Sequence, residues 1–186
     1  NEAAAMIIVL LASTVMYARV FVEVAAVHID MLRHCVIPLA VMAAATYLPV
    51  VLLWRRVRGQ QPQIAPSHEN PTQLRAALYF AALYAVVLSL IAWMKQHAGT
   101  SGLYPLAILS GLHDMDAITL SISRMAIQDQ ELSLHGWRYI AAAILANIVV
   151  KCILGGVMGN TRFGLRLALG FVPAFLVGLS LILFWP

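Results

Sequence analysis

Two aspartates, Asp114 and Asp116, stand in the polar run Ser110-Gly111-Leu112-His113-Asp114-Met115-Asp116-Ala117-Ile118-Thr119-Leu120-Ser121, with apolar chain on both sides. A carboxylate at the centre of a membrane helix costs on the order of 3 kcal/mol to insert. A chain that keeps two is expected to use them to bind a cation, carry a proton or hold a partner charge. On a continuous helix Asp116, Thr119 and Ser123 share one face, and Asp114 and Ser121 lie on the other. The carboxylates converge only if the backbone unwinds at about Ser110–Met115, where Ser-Gly is a weak point. Such a break would free carbonyl groups and aim a helix N-terminus at the site. Carboxylate, hydroxyl and carbonyl oxygens suit Na⁺, Mg²⁺ or Ca²⁺. The candidate ion-binding or proton-carrying residues are therefore Asp114, Asp116, Thr119, Ser121 and Ser123, with the two aspartates as the metal candidates. His113 would point to a transition metal, but one His with two Asp is a weak ligand set.

Charges buried in a membrane need partners. Lys151, with Asn147 one turn earlier on the same face, is the first candidate counter-charge, and Arg124 is the second. An Asp–Lys pair either neutralises two inserted charges or acts as a switch when an incoming cation displaces the ammonium. Arg19 and Glu23, four residues apart, form a secondary pair on the first span. Its simplest reading is an intrahelical bridge with Arg19 snorkelling. An intramembrane aspartyl protease would draw its two aspartates from facing helices. Here both lie on one segment, and Asp30 and Asp129 fall in loops. No enzyme is expected, and no cofactor beyond a bound cation.

The composition requires a bilayer around these residues. Apolar residues make up 62% of the 186 and charged residues 11%, against roughly 25% charged in a soluble domain. Mean hydropathy is +0.85. The net charge of +4 comes from basic residues at span ends, so nucleic acid is not the partner. Cys35 and Cys152 sit in apolar surroundings and read as small buried residues. No signal peptide is visible, and the opening Asn1-Glu2 without Met suggests a piece of a longer protein.

Six apolar segments fit one polytopic domain over 1–186: about 3–27, 36–54, 74–94, 103–127, 138–158 and 164–185. The long polar connection, 55–73, reads as a solvated loop, and its His68 and Glu69 are given no role. Sliding Leu74–Trp93 onto Leu165–Phe184 gives ten identities in twenty positions. Weaker matches lay Ala12-x-Thr14…Arg19 over Ala117-x-Thr119…Arg124, and Ala43–Ala45 over Ala141–Ala143. These pair span one with four, two with five and three with six. The expected fold is an all-α membrane protein of six transmembrane helices in two inverted three-helix repeats, about 1–94 and 103–186, with the fourth helix broken. One face would carry Arg55, Arg56, Arg58, Arg75, Arg124 and Arg138, the other Arg33, Lys95, Arg162 and Arg166. That bias places the long loop and both chain ends in the cytoplasm. Gly155-Gly156-x-x-Gly159 and Gly170…Ala174…Gly178 have helix-packing spacing. Pro49 and Pro173 are expected kinks.

The run Gly111–Ser121 resembles the signature of a bacterial and archaeal membrane domain of unknown function, often found C-terminal to an MgtC/SapB-type domain. In that signature the position of His113 usually holds a small residue. The resemblance extends to Ala12-Ser13-Thr14-x-Met16-x-x-Arg19, to Asn147-x-x-x-Lys151 and to Arg162-Phe163-Gly164-Leu165-Arg166. It implies the cytoplasmic membrane of a bacterium or archaeon, a further helix before residue 1, and cation physiology by association with MgtC. Its partners would be the lipid bilayer and an MgtC-type domain or further copies of the chain. The expected function is a secondary transporter or channel-like carrier of a small cation of the Mg²⁺, Na⁺ or H⁺ class. The alternative is a non-transporting membrane module that docks or regulates a partner membrane protein.

Overall fold

The computed structural model describes residues 2–57, 85, 89 and 102–185. Regular structure among them is helical: α1 (Glu2–Val27), α2 (Ile29–Val57), α3 (Leu103–His113), α4 (Met115–Met125), α5 (Gln130–His135), α6 (Trp137–Leu154), a π-helical turn (Gly155–Gly159) and α7 (Thr161–Phe184). In hydrocarbon the backbone must satisfy its own hydrogen bonds, so apolar runs of this length become helices. Four helices among the described residues are long and apolar enough to cross a membrane: α1, α2, α6 with its π turn, and α7. They match expected spans one, two, five and six. The α2 helix begins earlier than hydropathy suggests, because its polar first turns are helical too, with Arg33 3.5 Å from Asp30. The expected third span, 74–94, lies outside the described residues, apart from Ala85 and Ser89.

Contacts near helix ends fix the directions of the helices. Glu2, opening α1, pairs with Arg166 and accepts from Asn160 at 3.5 Å, both at the start of α7. Farther along, the Leu10 side chain lies over Gly170. Thus α1 and α7 run the same way from one end of the bundle, the Glu2 end. At the opposite end Met31, in the first turn of α2, lies against Gly136, just before α6. There Arg138 also donates to the carbonyl of Trp185, after α7, at 2.6 Å. This Met31 end is where α2 and α6 begin and α7 finishes.

The segment expected as the fourth span is two short helices, neither long enough by itself to cross a membrane. Tyr104, in the first turn of α3, packs on Tyr139 at the Met31 end, ring centroids 4.5 Å apart. Two turns later Gly111 lies against the backbone of Ala143, and its carbonyl accepts from Asn147 Nδ2 at 3.1 Å. So α3 runs beside α6 from the Met31 end toward mid-depth. Asp114 is then extended, with φ −151° and ψ 125°. The chain folds back: Asp116 meets Arg19 of α1, and Ile122, near the end of α4, is again against Gly136. Together α3 and α4 form a re-entrant helical hairpin with Asp114 at its tip. Each arm has 11 residues, about 16 Å of helix, or half of a hydrocarbon core of roughly 30 Å. The interruption expected between Ser110 and Met115 is present, but it reverses the chain rather than bending a span.

The repeat pairs α2 with α6, and these two helices run the same way, so the described residues do not show six crossings or an inverted repeat; Glu2 and Trp185 lie at opposite ends of the bundle. Small residues permit the fold-back. A Cβ on Gly111 would sit 2.7 Å from Ala143 Cα, so only glycine lets the hairpin seat on the Ala141–Ala143 floor of α6. Gly164 does the same for α7, where a Cβ would be 2.6 Å from Gly156 Cα.

Candidate functional site

The hairpin tip is built from its own polar side chains. Asp114 caps α4, its Oδ1 accepting from the Asp116 N–H at 3.0 Å. A carboxylate there satisfies an orphan donor and sits favourably at the helix dipole. Asp114 is thus engaged with the backbone of its own helix. Asp116 instead pairs through Oδ2 with the Arg19 guanidinium. Arg19 Nε also donates to Glu23 Oε1 at 3.1 Å. One guanidinium thus serves two carboxylates, and the formal charge of the group is −1. The carboxylates are mostly buried, at 14% exposure for Glu23 and 15% for Asp116, while the Arg19 side chain is 65% exposed.

Thr119 and Ser123 follow Asp116 along one stripe of α4, and both are fully buried. Ser123 Oγ donates to the Thr119 carbonyl at 2.8 Å. Thr119 Oγ1 and Glu23 Oε2 are buried without a hydrogen-bond partner among the described residues. Ser121 stands off this stripe and is half-buried. Arg124, in the last turn of α4, is exposed and makes no ion pair among the described residues, so it is not the counter-charge.

Lys151 is not the counter-charge of Asp116 either. Its Nζ donates to Ser13 Oγ at 2.9 Å and approaches Met16 Sδ at 3.7 Å. Ser13 passes its own proton to the Val9 carbonyl at 2.8 Å. Asn147, one turn earlier, clamps the hairpin through Gly111, and its Oδ1 is buried and unpartnered. The fold-back explains the exchange of partners: a crossing span would have carried Asp116 along α6, whereas the returning arm lays it against α1. Sequence reasoning missed Ser13 and the Gly111 carbonyl as partners, and it gave Glu23 only a local role. Ser13 carried a signal, a hydroxyl in an apolar helix, but nothing in the sequence aims it at Lys151. Among the described residues no three His, Cys, Asp or Glu side chains gather as a metal-binding group. Cys35 and Cys152 are free, the first buried as expected and the second half-buried.

No solved structure matches this chain. An uncharacterized protein of Aquifex aeolicus (strain VF5) is 30% identical over 112 residues, covering 59% of this chain and 46% of that protein. The chain thus aligns with less than half of that relative's length. A family pattern, described as a domain of unknown function (DUF4010), matches residues 1–159, from α1 through the hairpin to the π turn. The chain belongs to the DUF4010 family.

Proposed function

We propose that this protein is a secondary transporter or channel-like carrier of a small cation, working at the seam between α1 and the returning arm of the hairpin. Asp116 is the carboxylate the cation engages, and Arg19 is the tethered charge it displaces. The observation that carries the reading is the re-entrant hairpin with its tip inside the bundle beside an ionic group. Broken or re-entrant helices at membrane depth occur where they are buried in protein or line a water-filled cavity, as in transporters. The exposed flank of Arg19 supports it further. An arginine side chain 65% exposed and about 12 Å along the helix from Val27 needs a polar environment, since facing lipid tails there is costly. With a group charge of −1, a monovalent cation or a proton is better matched than a divalent ion.

The basic residues suggest an orientation. Arg55, Arg162 and Arg166 lie at the Glu2 end. Arg33 and Arg138 lie at the Met31 end among Asp30, Asp129 and Glu131. By the positive-inside tendency, the Glu2 end faces the cytoplasm of a bacterial or archaeal cell.

The competing reading, a non-transporting module, draws on one specific observation: Asp116 already has its counter-charge. Flux separates the two. Wild-type protein in liposomes is tested against Na⁺, K⁺, Mg²⁺, Ca²⁺, Mn²⁺ and H⁺ gradients, beside Asp116→Asn. Transport predicts flux of at least one cation and a loss of tenfold or more in the folded variant. A folded Asp116→Asn protein with undiminished flux would remove Asp116 from the mechanism.

A further inference from the structure

At the Glu2 end, away from the ionic seam, α1 and α2 enclose a half-open groove. Among the described residues its volume is about 350 Å³, and its lining includes Ile7 and Leu11 of α1 with Tyr47, Val50, Trp54 and Arg55 of α2. Ile7 and Val50 are buried, whereas Leu11, Tyr47 and Trp54 are exposed. Both helices are long and apolar enough to cross a membrane, α1 beginning and α2 finishing at this end. The groove therefore runs inward from the interface. Tyr47 to Arg55 spans about 12 Å of helix, most of one leaflet of a hydrocarbon core roughly 30 Å thick. Arg55 is the charged residue of the lining. It is exposed and makes no ion pair among the described residues. Glu2, the acid described at that end, is already paired with Arg166.

We propose that this groove holds one anionic phospholipid of the leaflet at the Glu2 end, with an acyl chain along Ile7 and Val50 and its phosphate on the Arg55 guanidinium. The level is right for a headgroup. Trp54 stands beside Arg55 near the end of α2, and tryptophan rings collect where hydrocarbon meets headgroups. The chemistry is right as well, since the guanidinium fork matches two phosphate oxygens. Spread over its length, the groove volume gives a cross-section of about 30 Å², against about 80 Å² for a helix roughly 10 Å across. That section admits one extended acyl chain and not a whole helix. The apolar lining accepts any acyl chain and does not discriminate among lipids. Arg55 does: a zwitterionic headgroup brings its own cation to its phosphate, while an anionic headgroup leaves a net negative charge to meet the arginine. The site stands apart from the transport reading, because none of its residues belongs to the group of Arg19, Glu23 and Asp116.

Trp54 itself reports on the groove. The full chain is reconstituted in phosphatidylcholine bilayers containing a small, fixed fraction of lipid with brominated acyl chains, either phosphatidylglycerol or phosphatidylcholine. Bromine quenches tryptophan fluorescence at short range. Subtracting the signal of Trp54→Phe isolates Trp54 from Trp93, Trp137 and Trp185. Brominated phosphatidylglycerol is expected to occupy the site with about fivefold higher apparent affinity than brominated phosphatidylcholine, the scale of one basic residue at an anionic surface. Arg55→Gln should bring that ratio close to one, and Arg33→Gln, at the Met31 end, should leave it unchanged. Equal quenching of wild type by both lipids would mean acyl contact without a headgroup site and would overturn the proposal. A preference that persists in full in Arg55→Gln would overturn it too. Trp54 left unquenched by either lipid would mean that protein covers the groove, as the segment 74–94 or a second copy, and would equally overturn it. If Arg55→Gln does not fold, the wild-type ratio of the two lipids still decides.

Discussion

The bundle handles its internal charges in two contrasting ways. At the α1–α4 seam one guanidinium is shared by two mostly buried carboxylates. About two turns along α1, the partners of Lys151 among the described residues are neutral, a hydroxyl and a thioether. The first group is bound by charge and carries an excess of −1. The second places a lone ammonium beside the hairpin, next to the Asn147 clamp. A pair that serves only to neutralise inserted charge would match one cation to one anion. Neither group does so, which is why the excess carboxylate is read as a place for a mobile positive charge.

The largest expected effect breaks the first group. Arg19→Met leaves Asp116 and Glu23 without their cation, both mostly buried. The cost is about 3–5 kcal/mol, the scale for a broken buried pair, seen as a large drop in melting temperature. A melting temperature within a degree of wild type would show that the ionic group is not what holds α4 to α1.

Gly111→Ala comes next. It forces a methyl into the Ala143 backbone and lifts the hairpin from its floor. Overpacking of this kind costs about 1–3 kcal/mol. Loss of both stability and cation response is expected, because the contact of Asp116 with Arg19 depends on the hairpin's seat.

The smallest expected effect is on the second group. Lys151→Met removes an ammonium but strands no charge, and Ser13 keeps its bond to Val9. Stability should change by less than about 1 kcal/mol or rise, as hydrophobic replacement of a buried charge often does. A loss as large as that of Arg19→Met would erase the contrast.

Much of this arrangement is legible in the sequence, and the unreadable part has a physical cause. Four apolar runs become helices because membrane depth leaves the backbone no alternative. The break at Asp114 is legible because Ser110-Gly111 beside two aspartates is a poor place to continue a helix. The reversal is not. Two half-depth arms joined by one extended residue have the length and hydropathy of a single crossing, and hydropathy carries no direction. The repeat rests mainly on 74–93, almost wholly outside the described residues, and its weaker match of Ala43–Ala45 with Ala141–Ala143 joins two helices that share an Ala-rich composition. The choice of Arg19 over Lys151 follows from the reversal alone, since both lie at depths Asp116 can reach. The Arg19–Glu23 bridge, a local i,i+4 pair, is read correctly from spacing; its third member comes from another helix.

The most direct test of the re-entrant hairpin is side-specific labelling. In a background with Cys35 and Cys152 replaced by alanine, single cysteines are placed at Gly102 and Gln128, which flank the hairpin, and at Thr161, after α6. Each is reacted in sealed, oriented vesicles with a membrane-impermeant maleimide. The hairpin predicts that positions 102 and 128 label from one side and position 161 from the other. Labelling of 102 and 128 from opposite sides would mean that the segment crosses the membrane, and would contradict the account.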